Sequence, residues 1–128
     1  MFVPTLTTTD FFGVIRASTF LLDTFPFGGG VSSLEAFSAC KAVLTLPSHQ
    51  SVSRLTGGMV KRMKLEKFLL ATDIGDLIVK AKELLVDNHR ANIESQICEK
   101  NKHLFQQNDV IDEWEAFLQR VHFQSMQE

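Results

Sequence analysis

The sequence has no tyrosine and one tryptophan, but 11 phenylalanines among its 128 residues. A buried phenylalanine needs no hydrogen-bond partner, so this choice of aromatics describes how a core is filled and indicates no particular function. No apolar run approaches the roughly 18 residues that a membrane-spanning helix needs. Residues 1–6 lack a basic start followed by an apolar stretch, so they do not predict a secretory signal.

Neither sign of charge dominates the chain, and cysteine is scarce. The formal net charge is -2, which argues against a broad basic face that binds nucleic acid by releasing counterions. Cys40 and Cys98 lack the spacing of metal and redox motifs and do not make a disulfide framework. These features predict an intracellular protein, cytoplasmic or nuclear, with free thiols, no metal site, and neither nucleic acid nor membrane as a partner.

The first 71 residues alternate short apolar segments with amphipathic ones. Strands are predicted over residues 2–4, 19–22 and 42–46, with a short fourth over 68–70, and helices over 10–18, from 32 or 33 onward, and over 51–63. Threonines before Asp10 offer caps for the first helix. Because only a crossover returns a chain in the same direction, the short links predict a parallel sheet, part of a doubly wound α/β fold.

Residues 72–128 are predicted to form three helices, with a break at Asp87 and Asn88. Thr72 and Asp73 cap a helix that runs to about residue 86, and further helices are predicted over 90–105 and 109–123. In the last helix Trp114, flanked by two glutamates, is expected to be buried.

The predicted number of strands is low for a parallel sheet. Three or four strands leave an open edge with apolar faces and unpaired backbone groups. The chain also begins inside a predicted strand. We therefore expect that Met1 is not the start of the folding unit and that earlier strands are missing.

A glycine-rich loop joins a predicted strand to a predicted helix, in the segment LLDTFPFGGGVSSLEA at 21–36. Three glycines allow a ligand close to the backbone, and the amides of the helix start suit phosphate. Ser32 and Ser33 can donate hydroxyls to the same group, whereas Glu35 suits sugar hydroxyls. A flexible turn with a serine cap and an ordinary first-turn acid fits the same residues about equally well.

Residues 2 to about 70 resemble the C-terminal part of the catalytic region in the O-linked N-acetylglucosamine transferase family. The strongest match runs without a gap through LDTFPFGGG at 22–30, SSLEA at 32–36, VLTLP at 43–47 and SR at 53–54. The resemblance implies a Rossmann-like half of a GT-B fold. It makes residues 1–71 a nucleotide-sugar (donor) binding half-domain and residues 72–128 a C-terminal helical tail packing on it.

The resemblance also implies a function, the transfer of N-acetylglucosamine from UDP-N-acetylglucosamine to Ser or Thr of a protein acceptor, with no cofactor. The implied donor-binding residues are Gly30, Val31 and Ser32 at the diphosphate, Glu35 at the ribose, and Leu6, Thr7, Thr8 and Phe11 at the uracil. The sequence departs from animal members, which carry His-Thr-Thr in place of Gly30-Val31-Ser32, a lysine in place of Thr8 and a histidine in place of Phe11. The segment FPFGGG at 25–30 more closely resembles the bacterial and protist branch of the family.

The family's N-terminal catalytic domain and its acceptor-binding repeats have no counterpart here. We therefore expect a fragment that is inactive alone, with no catalytic base to name. The alternative is a non-catalytic interaction module, whose open sheet edge and helical tail bind a partner protein while the glycine loop stays empty. The basic run at 61–64, with Arg54, is compatible with phosphate or RNA binding, but a solvated helix end explains it more simply.

Overall fold

A computed structural model describes residues 4–47, 54–105 and 108–125, of which 68% are helical. The elements are α1 Thr8–Ala17, β1 Leu21–Leu22, α2 Val31–Ser38, β2 Val43–Leu44, α3 Leu55–Arg62, α4 Glu66–Leu69, α5 Ile74–Leu84, α6 Asp87–Lys100, α7 Lys102–Phe105 and α8 Asn108–Ser125. Within these ranges, no helix is both long and apolar enough to cross a lipid bilayer.

Side-chain caps fix where two of the helices begin. The Thr7 hydroxyl accepts from the Asp10 amide at 3.2 Å and donates to the Asp10 carboxylate at 2.6 Å. At the start of α5, Asp73 accepts from the Asp76 amide at 2.9 Å. A salt bridge with Lys80 lowers the pKa of Asp76. Both caps occupy positions at which the sequence predicts them, so these predictions are confirmed.

The sheet is much smaller than the doubly wound parallel sheet that the sequence predicts. β1 and β2 pair in parallel, with Leu21 opposite Val43 and Leu22 opposite Leu44. One further parallel bridge joins Thr45 to Leu70. The predicted α/β class, a Rossmann-like half of a GT-B fold, is therefore wrong, because the described part of the chain is mostly helical.

Some residues that the sequence predicts to be in strands lie in helices or loops instead. Residues 66–69 form α4, so the strand predicted over 68–70 is reduced to the single bridge at Leu70. β1 ends at Leu22, where the chain turns into the glycine loop. Of the strand predicted over 2–4, residues 2 and 3 lie outside the described residues, as do residues 51–53 of the predicted third helix.

One buried apolar cluster draws on both halves of the chain. It includes Phe37 of α2, Leu44 of β2, Leu69 of α4, Leu84 of α5 and Ile97 of α6. Each of these helices therefore buries one face against the same core, which supplies most of the stabilisation. The functional division at residue 71 stays a prediction.

Cys40 and Cys98 form a disulfide, so the prediction of free thiols is wrong. Their Cα atoms lie 4.9 Å apart although 58 positions separate them in sequence. Cys40 follows α2 with a φ of 61°, and Cys98 lies on α6. Lys41 and Glu94 form an ion pair at 3.1 Å between the same two regions. Since disulfides persist mainly outside the reducing cytosol, the predicted intracellular location loses the support it took from free thiols.

The last helix, α8, exposes its apolar side chains. Exposure ranges from 44% for Phe117 to 69% for Phe123, and Trp114 is 59% exposed. The expected burial of Trp114 is therefore wrong. Its ring instead packs edge-on against Phe117, with the centroids 5.7 Å apart.

Candidate functional site

Asp23 organises the glycine loop. It follows β1 directly, and its amide donates to the Leu44 carbonyl at 2.9 Å. Its carboxylate accepts from the amides of Thr24 at 3.0 Å and Gly29 at 2.6 Å, and from the Thr45 hydroxyl at 2.8 Å. Because Thr45 follows β2, one carboxylate joins the carboxyl ends of both strands to the loop.

A second set of hydrogen bonds joins the loop to α3. The hydroxyl of Thr56, which is fully buried, donates to the Gly29 carbonyl at 2.9 Å and lies 2.8 Å from the Ser33 hydroxyl. The amide and carbonyl of Gly29 are thus both bonded within the protein. The Ser33 side chain is buried as well and its hydroxyl is paired with Thr56, so a hydrogen bond from Ser33 to a phosphate stays a prediction.

Gly29 packs closely against side chains of α2. A Cβ at this position would lie 2.6 Å from the Ser33 hydroxyl oxygen and 2.9 Å from that of Ser32. No glycine in the described ranges has a positive φ, so a left-handed backbone is not the reason. The nearest atom to a Cβ on Gly30 would be a Leu55 methyl at 3.5 Å, an ordinary contact. The close approach at Gly29 is therefore to the protein's own helix.

Between Asp23 and Gly29 the loop is held in a ring that projects two aromatic side chains. The Thr24 hydroxyl donates to the Phe27 carbonyl inside this ring, and the peptide bond between Phe25 and Pro26 is cis. Phe25 and Phe27 are 65% and 67% exposed. The ring therefore presents apolar surface to solvent.

The first turn of α2 has no side-chain cap. Gly30 is the N-cap residue, and its carbonyl accepts from the Leu34 amide at 3.2 Å. Val31 and Ser32 are exposed. Uncapped amides at a helix start carry partial positive charge, so this turn can accept an anion.

A cavity of about 520 Å³ lies between α1 with the residues before it and Glu35 of α2, and we call it the α1–α2 cavity. Its lining consists of Pro4, Leu6, Thr7, Thr8, Phe11, Val14 and Glu35. Five predicted donor-binding residues are thus brought together from two separate segments. The Glu35 carboxylate is half-buried and makes no hydrogen bond or ion pair with the described part of the chain.

The remaining three predicted residues, Gly30, Val31 and Ser32, do not line the α1–α2 cavity. Ser32 instead lines a smaller cavity of about 70 Å³ together with Asp23 and Gly29. Ser32 and Glu35 are nevertheless neighbours on one face of α2, because residues three apart in a helix share a face. α2 therefore connects the two cavities.

Three further residues shape this region although no prediction from the sequence names them as site residues: Asp23, Thr45 and Thr56. Asp23 and Thr45 each follow a strand directly, and this position could have marked them, because side chains there meet at one edge of a parallel sheet. Thr56 gives no such signal, since its role depends on how α3 packs. No group of three or more His, Cys, Asp or Glu side chains in the described ranges could hold a metal ion.

The fold of the chain is also found in a solved structure, whereas its sequence matches no known family. No protein-family model and no curated protein matches the sequence. The chain is similar to the solved structure of a mutant O-GlcNAc transferase from Thermobaculum terrenum, with a TM-score of 0.65 and 20% sequence identity. The similarity covers 79% of this chain and 22% of that chain. The protein therefore shares the fold of one part of a longer transferase.

Proposed function

We propose that the chain is the donor-binding portion of a glycosyltransferase that uses a UDP-sugar. The proposal depends above all on one observation, that Leu6, Thr7, Thr8, Phe11 and Glu35 line a single cavity. The fold shared with part of an O-GlcNAc transferase supports it. The same resemblance makes N-acetylglucosamine the proposed sugar and protein Ser or Thr the proposed acceptor.

Each part of a bound UDP has a partner of suitable chemistry in this proposal. The uracil stacks on Phe11, with Leu6 supplying further apolar surface. Glu35 accepts hydrogen bonds from the ribose hydroxyls, since its carboxylate has no partner in the described ranges. The diphosphate lies at the uncapped start of α2, where backbone amides and the Ser32 hydroxyl donate to it.

The proposal covers binding and assigns no catalytic step to this chain. The chain spans about 22% of the length of the solved transferase that it resembles. In a transferase with its active site between two domains, this chain would supply one wall and the other domain the second. We therefore propose that an N-terminal catalytic domain is the chain's partner and that the chain alone transfers no sugar.

Replacing Glu35 with alanine is expected to weaken UDP binding about tenfold, because a hydrogen bond to a charged group contributes about 1.5–3 kcal/mol. Titration of the 128-residue chain with UDP, followed by amide NMR signals of residues 30–35, measures this effect. We also expect 2′-deoxy-UDP to bind the unaltered protein more weakly than UDP, and the Glu35→Ala variant to lose this preference.

Glu83→Ala is the matched control, because Glu83 is an exposed carboxylate outside the lining of the α1–α2 cavity. This variant should bind UDP as the unaltered protein does. The donor-site proposal fails if UDP moves no signal in residues 30–35, or if Glu35→Ala binds UDP undiminished.

A second candidate function, a protein interaction module, is favoured by α8. Several large apolar side chains of this helix are exposed, among them Ile111, Trp114 and Leu118. Contiguous exposed apolar surface is typical of a site that another protein covers. In this alternative, α8 docks on a partner protein and the α1–α2 cavity stays empty.

The double variant Trp114→Ser, Phe117→Ser tests the second candidate. We expect it to lose most of its association with any protein that co-purifies with the unaltered chain, because aromatic anchors dominate interface energies. Sedimentation velocity of the purified complex measures the association. The control is Ile74→Ser, Ile78→Ser, which removes two exposed apolar side chains from α5. A complex that survives the α8 substitutions contradicts this alternative.

A further inference from the structure

The last helix, α8, lies apart from the apolar core. It makes no extensive contact with another helix or strand in the described part of the chain, and all side chains from residue 111 to residue 123 are exposed. A helix in a protein takes most of its stability from packing an apolar face against a neighbour. Within the described residues, α8 lacks that neighbour.

The exposed apolar side chains of α8 have the spacing of a helix that packs along a second helix. Four of them are separated by three, four and three positions and are 45% to 64% exposed, namely Ile111, Trp114, Leu118 and Val121. Phe117 adjoins this stripe and is 44% exposed. We call these five residues the α8 face. Such spacing places a continuous apolar seam along one side of a helix.

The charges of α8 are divided between its two ends. Asp112, Glu113 and Glu115 lie in its first half, and Arg120 lies in its second half. If two such helices ran in the same direction, carboxylates would lie beside carboxylates, whereas opposite directions bring Arg120 of each helix to the acidic half of the other. A two-fold axis between identical copies produces this antiparallel arrangement. In charge, α8 is therefore complementary to itself.

We propose that the α8 face pairs with the α8 face of a second copy of this chain, with the two helices antiparallel about an axis near Ala116. Trp114 then packs against Leu118 of the second copy, and Ile111 packs against Val121 of the second copy. This inference goes beyond the proposed donor site, none of whose residues lies on α8. It also differs from the general interaction module, because it names the partner.

A cavity on α8 lies where the second copy would be received. Its volume is about 260 Å³, and it is lined by Val110, Glu113, Trp114 and Phe117. The Glu113 carboxylate has no ion pair or hydrogen bond within the described ranges. Arg120 lies at the same edge of the α8 face, with its guanidinium 5.9 Å from the centroid of the Phe117 ring.

Glu113 and Arg120 can pair between copies but not within one copy. Seven positions separate them, so they lie on the same side of the helix about 10 Å apart along its axis, which is too far for an ion pair. In the antiparallel pair, Arg120 of the second copy is within one residue of the level of Glu113. Two symmetry-related ion pairs would then flank the apolar seam.

A lipid surface fits α8 less well than a second copy does. Helices that lie in a membrane interface carry mainly lysine and arginine on their polar face. The polar side chains of α8 include three carboxylates, Asp112, Glu113 and Glu115. These would be repelled by anionic headgroups, so a protein surface is the occupant that the charges favour.

Sedimentation equilibrium and fluorescence of the 128-residue chain test the proposal together. Trp114 is the single tryptophan, so its emission reports on the α8 face alone. We expect the emission to move to shorter wavelength over the same concentrations at which sedimentation shows dimers. The double variant Trp114→Ser, Leu118→Ser should weaken dimerisation at least about tenfold, because large apolar anchors dominate interface energies.

Charge reversal tests the antiparallel direction. Glu113→Arg and Arg120→Glu should each weaken the dimer about tenfold, since each places like charges together at two symmetry-related positions. The variant that combines both substitutions should recover most of the affinity. Such recovery shows that the two side chains meet between copies and that the single variants are folded.

Phe123→Ser is the matched control on the same helix. Phe123 is 69% exposed, but nine positions separate it from Trp114, which places it on the opposite side of α8. This variant should dimerise as the unaltered chain does.

The proposal is overturned if the unaltered chain stays monomeric at millimolar concentration, or if dimers form without a shift in the Trp114 emission. It is also overturned if Phe123→Ser weakens the dimer as much as Trp114→Ser, Leu118→Ser does, or if the combined charge variant recovers no affinity. UDP binding is measured separately at residues 30–35, so the donor-site proposal can fail or succeed independently.

Discussion

Replacing both Cys40 and Cys98 with serine is expected to lower the free energy of unfolding by about 4 kcal/mol. The bond closes a loop of 58 positions, and opening it gives the unfolded chain much more conformational freedom. The disulfide also fastens the end of α2 to α6, two elements of the common core. Urea unfolding without reductant, followed by circular dichroism, measures the difference.

Reductant provides the control for this expectation. It should destabilise the unaltered protein by a similar amount and should leave the double serine variant unchanged. The ion pair of Lys41 and Glu94 joins the same regions but is partly exposed, so it does not replace the disulfide, because exposed pairs contribute at most about 1 kcal/mol. Two titratable thiols in the unreduced, unfolded protein would contradict the expectation.

Replacing Asp23 with alanine is expected to cost about 3 kcal/mol of stability, because it removes a charged acceptor from three donors at once. The Gly29 amide and the hydroxyl of Thr45, which is 1% exposed, then lose their partner. Thermal or urea unfolding measures the cost. Hydrogen exchange at the Gly29 amide measures the local effect and should become much faster.

Two further variants serve as controls for the predicted effect of Asp23→Ala. Asp112→Ala removes an exposed carboxylate that has no partner among the described residues, so stability should change by less than about 0.5 kcal/mol. Asp23→Asn keeps one acceptor oxygen for the two amides and should lose less than Asp23→Ala. If Asp23→Ala unfolds like the unaltered protein, the carboxylate does not hold the loop.

The features that the sequence predicts correctly are local ones. Thr7 and Asp73 each bond an amide three residues ahead, so the residue type and its distance from an apolar stripe are sufficient. The parallel pairing of β1 with β2 follows from their short crossover through α2. The resemblance to a family assigns Phe11 and Glu35 to one binding site, and both line the α1–α2 cavity. Donor binding there stays a prediction, and no local pattern relates the two residues.

The features that the sequence does not predict depend on distant packing. The apolar run at 68–70 fits a strand or a helix, and the helix α4 forms through most of it, which removes the expected fourth strand. Cys40 and Cys98 meet only because α2 packs against α6. Trp114 looks like a core residue because its neighbours are spaced for burial, but nothing in the described ranges covers α8 fully.

The hydrogen bond from the Gly29 amide to the Asp23 carboxylate closes residues 23–29 into a ring. Thr56 also donates a hydrogen bond to the Gly29 carbonyl. Any movement of the loop toward the core would therefore break hydrogen bonds to residues that follow the two strands and to α3. Phe25 and Phe27 therefore stay exposed as long as these hydrogen bonds hold the loop. Within the described ranges no side chain shields these two rings from water, so burying them requires a further surface.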